Sequence, residues 1–291
     1  MTISVIVTNW NGKKLLKKNL EAIIIASPEA KEIILADDAS QDDSISFAKN
    51  LQKKYPKLKI ISHKKNKGFG ANSNYAVAKA TGELIVLLNN DIYPDSGFIS
   101  HSLKHFDDPQ VFGVGFAEKG HENWAKFFWK SGYLQHEPGI TNIHKTHISG
   151  WVSGGSSIVR KSIFEKLGGF DPIYAPFYSE DLDLGYRAWK SGYKLLWEPK
   201  SIVEHHHEAT MSKFSLSLLN YVKERNRLLN TWRNITDPDL LRSNKIQLFL
   251  RILSGPNYIK IIRAAKKKIK KANSPIVFPM LTDQEILNKF L

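Results

Sequence analysis

The first third of the chain alternates two hydrophobic patterns. Ile3–Val7 (ISVIV) is a short apolar, β-branched run that ends in the polar stretch Thr8-Asn9-Trp10-Asn11-Gly12. Leu15–Ile25 then places apolar residues at helical spacing. Glu32–Ala36 (EIILA) predicts a second strand closed by Asp37-Asp38-Ala39-Ser40, and Ser44–Tyr55 a second helix. Leu58–Ser62 predicts a strand, Asn66–Gly70 a turn, Ala71–Ala80 a helix, and Glu83–Leu88 (ELIVLL) a strongly apolar strand closed by Asn89-Asn90-Asp91. Strand, polar loop and helix recurring at this spacing predict βαβ units and a mostly parallel sheet. Ligands of such sheets bind beyond the carboxyl ends of the strands. Three polar clusters fall there: Thr8–Asn11, Asp37–Asp42 and Asn89–Asp91.

Beyond this the pattern weakens. His101–Ile148 is rich in Trp, Phe, His and Gly, and reads as irregular structure draped over a site. Gly150–Arg160 predicts a turn and strand, Ser162–Leu167 a short helix stopped by Gly168-Gly169, Leu182–Lys190 a helix and Lys194–Glu198 a strand. From about Ser212 the pattern is helical and basic, which suggests a boundary near residue 215.

Composition narrows the class. The 291 residues are 42% hydrophobic and 24% charged, ordinary for a globular chain with a real core. There are no cysteines, so disulfides, thiolate catalysis and thiolate metal sites are excluded, and a reducing cytoplasm fits. No apolar stretch reaches the length of about eighteen residues that a membrane span needs, and the N-terminus does not read as a signal peptide. The net charge of +14 suggests anionic partners. It is concentrated: residues 241–273 hold ten Lys or Arg and no Asp or Glu. There Ile246, Phe249, Leu250, Ile252, Leu253, Ile259, Ile261 and Ile262 interleave with the cations, as in helices that lie on anionic membranes. A solvated, soluble tail is the plain alternative. Nucleic acid is not the expected partner, because the acid clusters would face the polyanion.

The candidate chemistry lies in a few clusters. Asp91 emerges where an apolar strand meets solvent, so it could hold Mg²⁺ or Mn²⁺ against a diphosphate, with Asn89 or Asn90 as a weaker oxygen nearby. Asn-Asn-Asp is also good turn chemistry. Asp37 and Asp38 could accept hydrogen bonds from a nucleobase or ribose, or simply shape a turn. Glu180-Asp181-Leu182-Asp183 places three carboxylates at the start of a helix, after the aromatic loop of Tyr174, Phe177 and Tyr178. Crowded acids raise one another's pKa and a helix N-terminus lowers it, so this cluster can supply a general base near neutral pH or merely cap a helix. Of His205-His206-His207, alternate strand residues face opposite ways, so one could complete an oxygen-rich Mn²⁺ site.

The order of these pieces is more specific than any one of them. It runs through Thr8-Asn9-Trp10-Asn11, Asp37-Asp38-Ala39-Ser40, Asn66-Lys67-Gly68-Phe69-Gly70, Leu88-Asn89-Asn90-Asp91, Gly168-Gly169-Phe170-Asp171 and Glu180-Asp181-Leu182-Asp183. Gly192-Tyr193 and His205 with Thr210 close the series. Over roughly residues 1–232 this resembles the family 2 inverting glycosyltransferases of the GT-A fold, especially their rhamnosyltransferase-like branch. Arg225-Asn226 looks like that branch's Arg-Asn pair in its first C-terminal helix.

The resemblance implies an α/β GT-A catalytic domain over 1–215, Rossmann-like, with a helical basic extension over 216–291. It implies that Thr8, Asn9, Asp37, Asn66, Gly68, Asn89 and Asn90 line the nucleotide. Asp91 and His205 would bind a divalent metal, Mn²⁺ or Mg²⁺, and Asp181, paired with Glu180, would be the catalytic base. The first carboxylate of the family's Asp-x-Asp is Asn89 here, which shifts the metal onto Asp91, His205 and the diphosphate. The donor would be a UDP- or dTDP-linked sugar and the acceptor a glycan or lipid-linked glycan at the inner membrane face, with Trp124, Trp129 and Trp151 as acceptor-stacking or core residues. A nucleotidyltransferase or a non-catalytic sugar-nucleotide module is the rival reading.

Overall fold

A computed structural model describes residues 1–121, 123–205 and 215–291. His206, His207 and Thr210 lie outside the described residues. Strands β1 (Ile3–Asn9), β2 (Glu32–Asp37), β3 (Leu58–Ser62) and β4 (Leu84–Asn89) pair in parallel in the order β3-β2-β1-β4, joined by helices α1 (Lys13–Ala26), α2 (Ser44–Lys54) and α3 (Phe69–Lys79). Their apolar runs are continuous because both faces are covered. Ile6, Ile34, Ile85 and Leu87 point into one core, while Val5, Val7, Ile33, Leu35, Val86 and Leu88 point into the other. Each such burial contributes roughly 1.5–3 kcal/mol, which pins the register. Register then brings the strand ends together: Thr8 pairs with Asn89, and Asn9 with Asp37.

The sheet continues through β5 (Ile92–Pro94), α4 (Ser100–Leu103) and β6 (Val111–Glu118), then, after a separate hairpin of β7 (Trp124–Lys130) and β8 (Tyr133–Gly139), through β9 (His147–Ile148), β10 (Ser156–Arg160), α5 (Lys161–Lys166), α6 (Glu180–Lys190) and β11 (Lys194–His205). Antiparallel β10 follows β4, then β6, β11 and β5, and β9 pairs with β11. About half of the middle segment, which reads as irregular in the sequence, is therefore strand. Glycine hid the β6 pattern: Gly113 sits where an added side chain would press on Val159, Leu195 and Val152, and Gly115 two residues on also lacks a side chain. Ser131 and Gly132, with φ of 51° and 76°, form the two-residue turn between β7 and β8. β11 runs on past Glu198 to His205, joining what the sequence presents as two pieces, with an irregularity between Glu198 and Ile202 around Pro199.

The C-terminal helices α7 (Leu216–Asn234), α8 (Pro238–Ser254), α9 (Tyr258–Lys271) and α10 (Asp283–Asn288) pack onto this body. Ile286, Leu287 and Phe290 share a core with Phe127 and Trp189. Buried Asp283 pairs with Lys190 at 3.0 Å and accepts hydrogen bonds from Tyr186 Oη and the Thr236 and Asp237 amides, so the C-terminus is tied to α6. No helix among the described residues is long and apolar enough to cross a membrane.

Candidate active site

A cleft of about 1030 Å³ opens over the carboxyl ends of β1 and β4. It is lined by Thr8, Asn9, Asn66, Gly68, Asn89, Asn90 and Asp91 on the sheet side, and by Trp151, Glu180 and Asp181 across from them. Asn9 organises the first wall. Its Nδ2 donates to Asp37 Oδ2 at 2.8 Å, and its Oδ1 accepts from Asn90 Nδ2 at 2.7 Å. Thr8 Oγ1 lies 3.3 Å from Asn89 Oδ1. Asp37 is buried behind this wall and accepts from Ser40 as well. Its neighbour Asp38 lines the cleft instead, and takes the Lys67 and Gly68 amides at 2.8 Å each. The sequence pair Asp37-Asp38 therefore divides its work: one carboxylate braces the strand ends and the next shapes the loop at Gly68.

Asp91 faces His205 from the end of β4. Its Oδ1 is buried, lies 3.1 Å from His205 Nε2 and takes no aligned hydrogen bond. On the other side of the ring, His205 Nδ1 meets Glu118 Oε2 at 3.0 Å. Burial disfavours the imidazolium, but the two carboxylates outweigh it and raise the His205 pKa to about 10. Among the described residues no three metal-binding side chains converge on one point, because the imidazole stands between the two carboxylates. Asp91 Oδ1 and His205 Nε2 stand 3.1 Å apart, and the pair would fit a hard cation bringing further oxygens on a diphosphate if the cation replaced the Nε2 proton. Glu118 behind the ring matches the carboxylate that commonly orients a metal-binding histidine. Sequence reasoning missed Glu118, since it emerges from the glycine-rich strand β6.

Across the cleft, Glu180 and Asp181 open α6. Burial, first, and the neighbouring Asp181 charge raise the Glu180 pKa well above the carboxylate range. Burial also raises Asp181, against hydrogen bonds from the Leu182 and Gly154 amides. Two acids held this way keep a proton between them near neutrality, the condition of a general base at that pH. The backbone before them is strained: Tyr178 and Ser179 have φ of 73° and 76°. Buried Asn226 on α7 holds that loop, donating Nδ2 to the Tyr174, Phe177 and Tyr178 carbonyls at 2.8, 2.9 and 2.8 Å. Arg225 adds the Ala175 carbonyl at 2.8 Å. The Arg-Asn pair singled out in the sequence is thus a clamp on the approach to Glu180.

A family model described as Glycosyl transferase family 2 matches residues 4–168. The chain belongs to glycosyltransferase family 2. It is a glycosyltransferase of GT-A fold that uses nucleotide-sugar donors. The family 2 enzyme is 24% identical over 243 residues to N-acetylglucosaminyl-diphospho-decaprenol L-rhamnosyltransferase of Mycobacterium tuberculosis, covering 70% of this chain and 76% of that one. It is 27% identical to the O-antigen chain rhamnosyltransferase RfbN of Salmonella typhimurium, covering 72% and 68%. Among solved structures, GalNAc-T7 with UDP, GalNAc and Mn²⁺ superposes with a TM-score of 0.65 at 16% identity, over 89% of this chain and 57% of that one. The mannosyltransferase PcManGT from Pyrobaculum calidifontis, with GDP-Man and Mn²⁺, superposes with 0.61 at 16% identity, over 92% and 80%.

Of the aromatic candidates in this family 2 enzyme, only Trp151 lines the cleft. Trp124 is buried and stacks flat on His147 at 3.6 Å, and Trp129 packs against the main core. Their place on the β7–β8 hairpin spends them on packing. The same hairpin instead lends the cleft Leu134, Gln135 and His136, and α7 lends it Lys223, Arg227 and Asn230, none of which the sequence pattern marks.

Proposed function

We propose that this glycosyltransferase acts by single displacement with inversion, with Asp181 as the base and the leaving diphosphate held at Asp91 and His205. The observation that carries this reading is that one cleft is lined both by Asp181, a carboxylate with a raised pKa, and by Asp91, whose buried Oδ1 lies 3.1 Å from the His205 imidazole. Asp181 takes the proton of the acceptor hydroxyl as that oxygen attacks the anomeric carbon from the face opposite the leaving group. Glu180, more strongly raised, stays protonated and keeps the pair from carrying two charges. Asp38, Asn66 and Gly68 hold the nucleoside end, and Asn9 with Asn90 keeps the strand ends in register beneath it. A divalent cation at Asp91 and His205 would neutralise charge growing on the departing diphosphate.

The acceptor is read as a lipid-linked or envelope glycan, in line with the names of the Mycobacterium tuberculosis and Salmonella typhimurium relatives. Peripheral binding to an anionic membrane belongs to this reading. Ile246, Phe249, Leu250 and Leu253 lie 58%, 61%, 51% and 64% exposed at i, i+3, i+4 and i+7 on α8, beside exposed Arg242 and Lys245. On α9, by contrast, Ile262 and Ala265 are buried. The whole 241–273 segment therefore does not present its apolar residues; α8 does.

Two measurements test the reading. Nucleoside diphosphate release from a panel of nucleotide sugars should require Mn²⁺ or Mg²⁺ and stop with EDTA, and the product's anomeric configuration should be inverted. Retention, or release unaffected by EDTA, counts against it. Flotation with anionic liposomes should drop for Phe249→Asp with Leu253→Asp; equal flotation removes the membrane part.

A further inference from the structure

The cleft is lined by both acids and cations. Asp38, Asp91, Glu180 and Asp181 supply its four carboxylates. Among the described residues lining it, the only Lys or Arg are Lys223 and Arg227, one turn apart on α7. Both stand on α7, not at the strand ends, and Lys223 lies beside the loop whose Pro176 carbonyl flanks Gly68. A run of contacts instead leads to them from the base. Trp151 packs on the first turns of α6, where a side chain on Gly185 would come within 2.7 Å of its Cβ, and the Gly154 amide reaches Asp181 itself. The Trp151 indole Nε1 is buried without a hydrogen-bond partner. Its ring meets His136 at 5.6 Å, and burial lowers the His136 pKa, so that wall is neutral. From His136, strand β8 runs three residues, about 10 Å, to Tyr133. There the Arg227 guanidinium lies over the Tyr133 ring at 4.1 Å.

Arg227 does not end the run. It shares Glu224 with Arg251 of α8, at 2.8 and 2.7 Å, and Lys223 sits over the Tyr178 ring at 4.9 Å. Among the described residues, two guanidiniums share the single Glu224 carboxylate, which leaves this group net positive. Arg251 stands between Leu250 and Leu253, two members of the exposed apolar face of α8. Outward from the base, the order is an aromatic, neutral wall, then a cationic step, then an apolar surface. An amphiphile with a sugar, a phosphate and a hydrocarbon tail has the same order.

The geometry points to Arg227 and Lys223 as an acceptor-phosphate subsite, which seats the phosphate of a lipid-phosphate-linked sugar while its tail leaves over α8 and its terminal sugar rests on Trp151 beside Asp181. This rests on the lipid-linked acceptor of the reading above and names the residues that select it. Arg suits the role because its planar guanidinium carries several donors, of which only Nη2 is engaged by Glu224 at 2.8 Å and Nε is buried without a partner. The donor diphosphate belongs to the opposite end, at Asp91 and His205.

The test is equilibrium binding of geranyl diphosphate, a short lipid diphosphate, to the full chain saturated with UDP and Mg²⁺. Geraniol and inorganic pyrophosphate serve as controls for tail and head. Binding should persist with UDP in place, and should exceed that of geraniol. Arg227→Gln should weaken it by about tenfold or more, while UDP affinity stays within about twofold. Arg227→Gln also removes a partner of Glu224, so Lys223→Gln, exposed and outside every ion pair of that network, provides an independent variant with a several-fold loss. Displacement of geranyl diphosphate by UDP, or equal weakening of both ligands, overturns the subsite and returns these cations to the donor. Geraniol binding as tightly overturns the phosphate role. If the wild-type chain transfers no sugar at all, the functional reading fails, but this binding measurement still decides the subsite.

Discussion

The two walls of the cleft are built on different principles. The wall proposed for the nucleotide is the rim of a buried parallel sheet. Thr8, Asn9, Asn89 and Asp91 stand within a few residues of strands whose every side chain is packed, and their spacing follows from strand register. The wall proposed for the acceptor gathers Trp151, the β8 hairpin, the strained turn before Glu180 and the flank of α7, parts that lie far apart in the chain. A sheet rim needs only local pattern to place a group. A wall of loops needs clamps, here Asn226 on three carbonyls and Asp283 on α6 and the α7–α8 turn. If the two walls serve donor and acceptor as proposed, separate elements carry the two tasks, and substitutions should alter them separately.

The sharpest way to separate the walls is Asp181→Asn. Transfer should fall by a factor of about 10² to 10⁴, while UDP affinity in the presence of Mn²⁺, followed by calorimetry, stays within about twofold. Loss of UDP binding would merge the two walls.

Next in size is the contrast between two tryptophans. Trp124→Ala should cost about 3–5 kcal/mol in denaturant unfolding, because it empties a packed stack on His147 and Trp197. Trp151→Ala should instead raise the acceptor KM with a smaller loss of stability. Matching profiles in the two variants would show that the cleft and the core are not distinct there.

Asn226→Ala takes its donor from the Phe177 and Tyr178 carbonyls and leaves Tyr174 only Arg225 at 3.5 Å, at about 1–3 kcal/mol for a buried unsatisfied group. Lower melting temperature together with a fall in kcat larger than any change in donor KM is expected. An unchanged kcat would deny the clamp its influence on Glu180 and Asp181.

The smallest effect concerns pH. Glu180 has its folded pKa raised by burial, so the unfolded chain ionises first as pH rises and the native state loses stability on that side. Glu180→Gln should therefore raise the melting temperature by a few degrees at pH 8 and leave it nearly unchanged at pH 4. The reverse order would mean that Glu180 is held as a charged group. In the wild type, transfer should decline as pH is lowered below neutrality and Asp181 takes up its proton.

Much of the donor wall was legible in the sequence. Apolar β-branched runs followed by Thr-Asn, Asp-Asp and Asn-Asn-Asp mark buried strands that end in polar loops, and a parallel sheet must bring such ends to one edge. The acid cluster at the start of α6 was legible for the same reason: helix starts are local. The amphipathic character of residues 241–273 was readable too. What escaped was every feature set by long-range packing. Glycines concealed strand β6 and with it Glu118, and an ordinary Ser-Gly turn built the hairpin that stands over the cleft.

The sequence by itself determined the family, the sheet and the order of chemical groups along its rim, because hydrophobic periodicity and strand-end polarity act over a few residues. Only the tertiary structure decided that Asp38 and not Asp37 faces the cleft, that Trp151 and not Trp124 is free to meet a ligand, and that α8 rather than α9 turns its apolar face outward. Those choices depend on which face of each element the rest of the chain buries, and burial is a property of the packed whole.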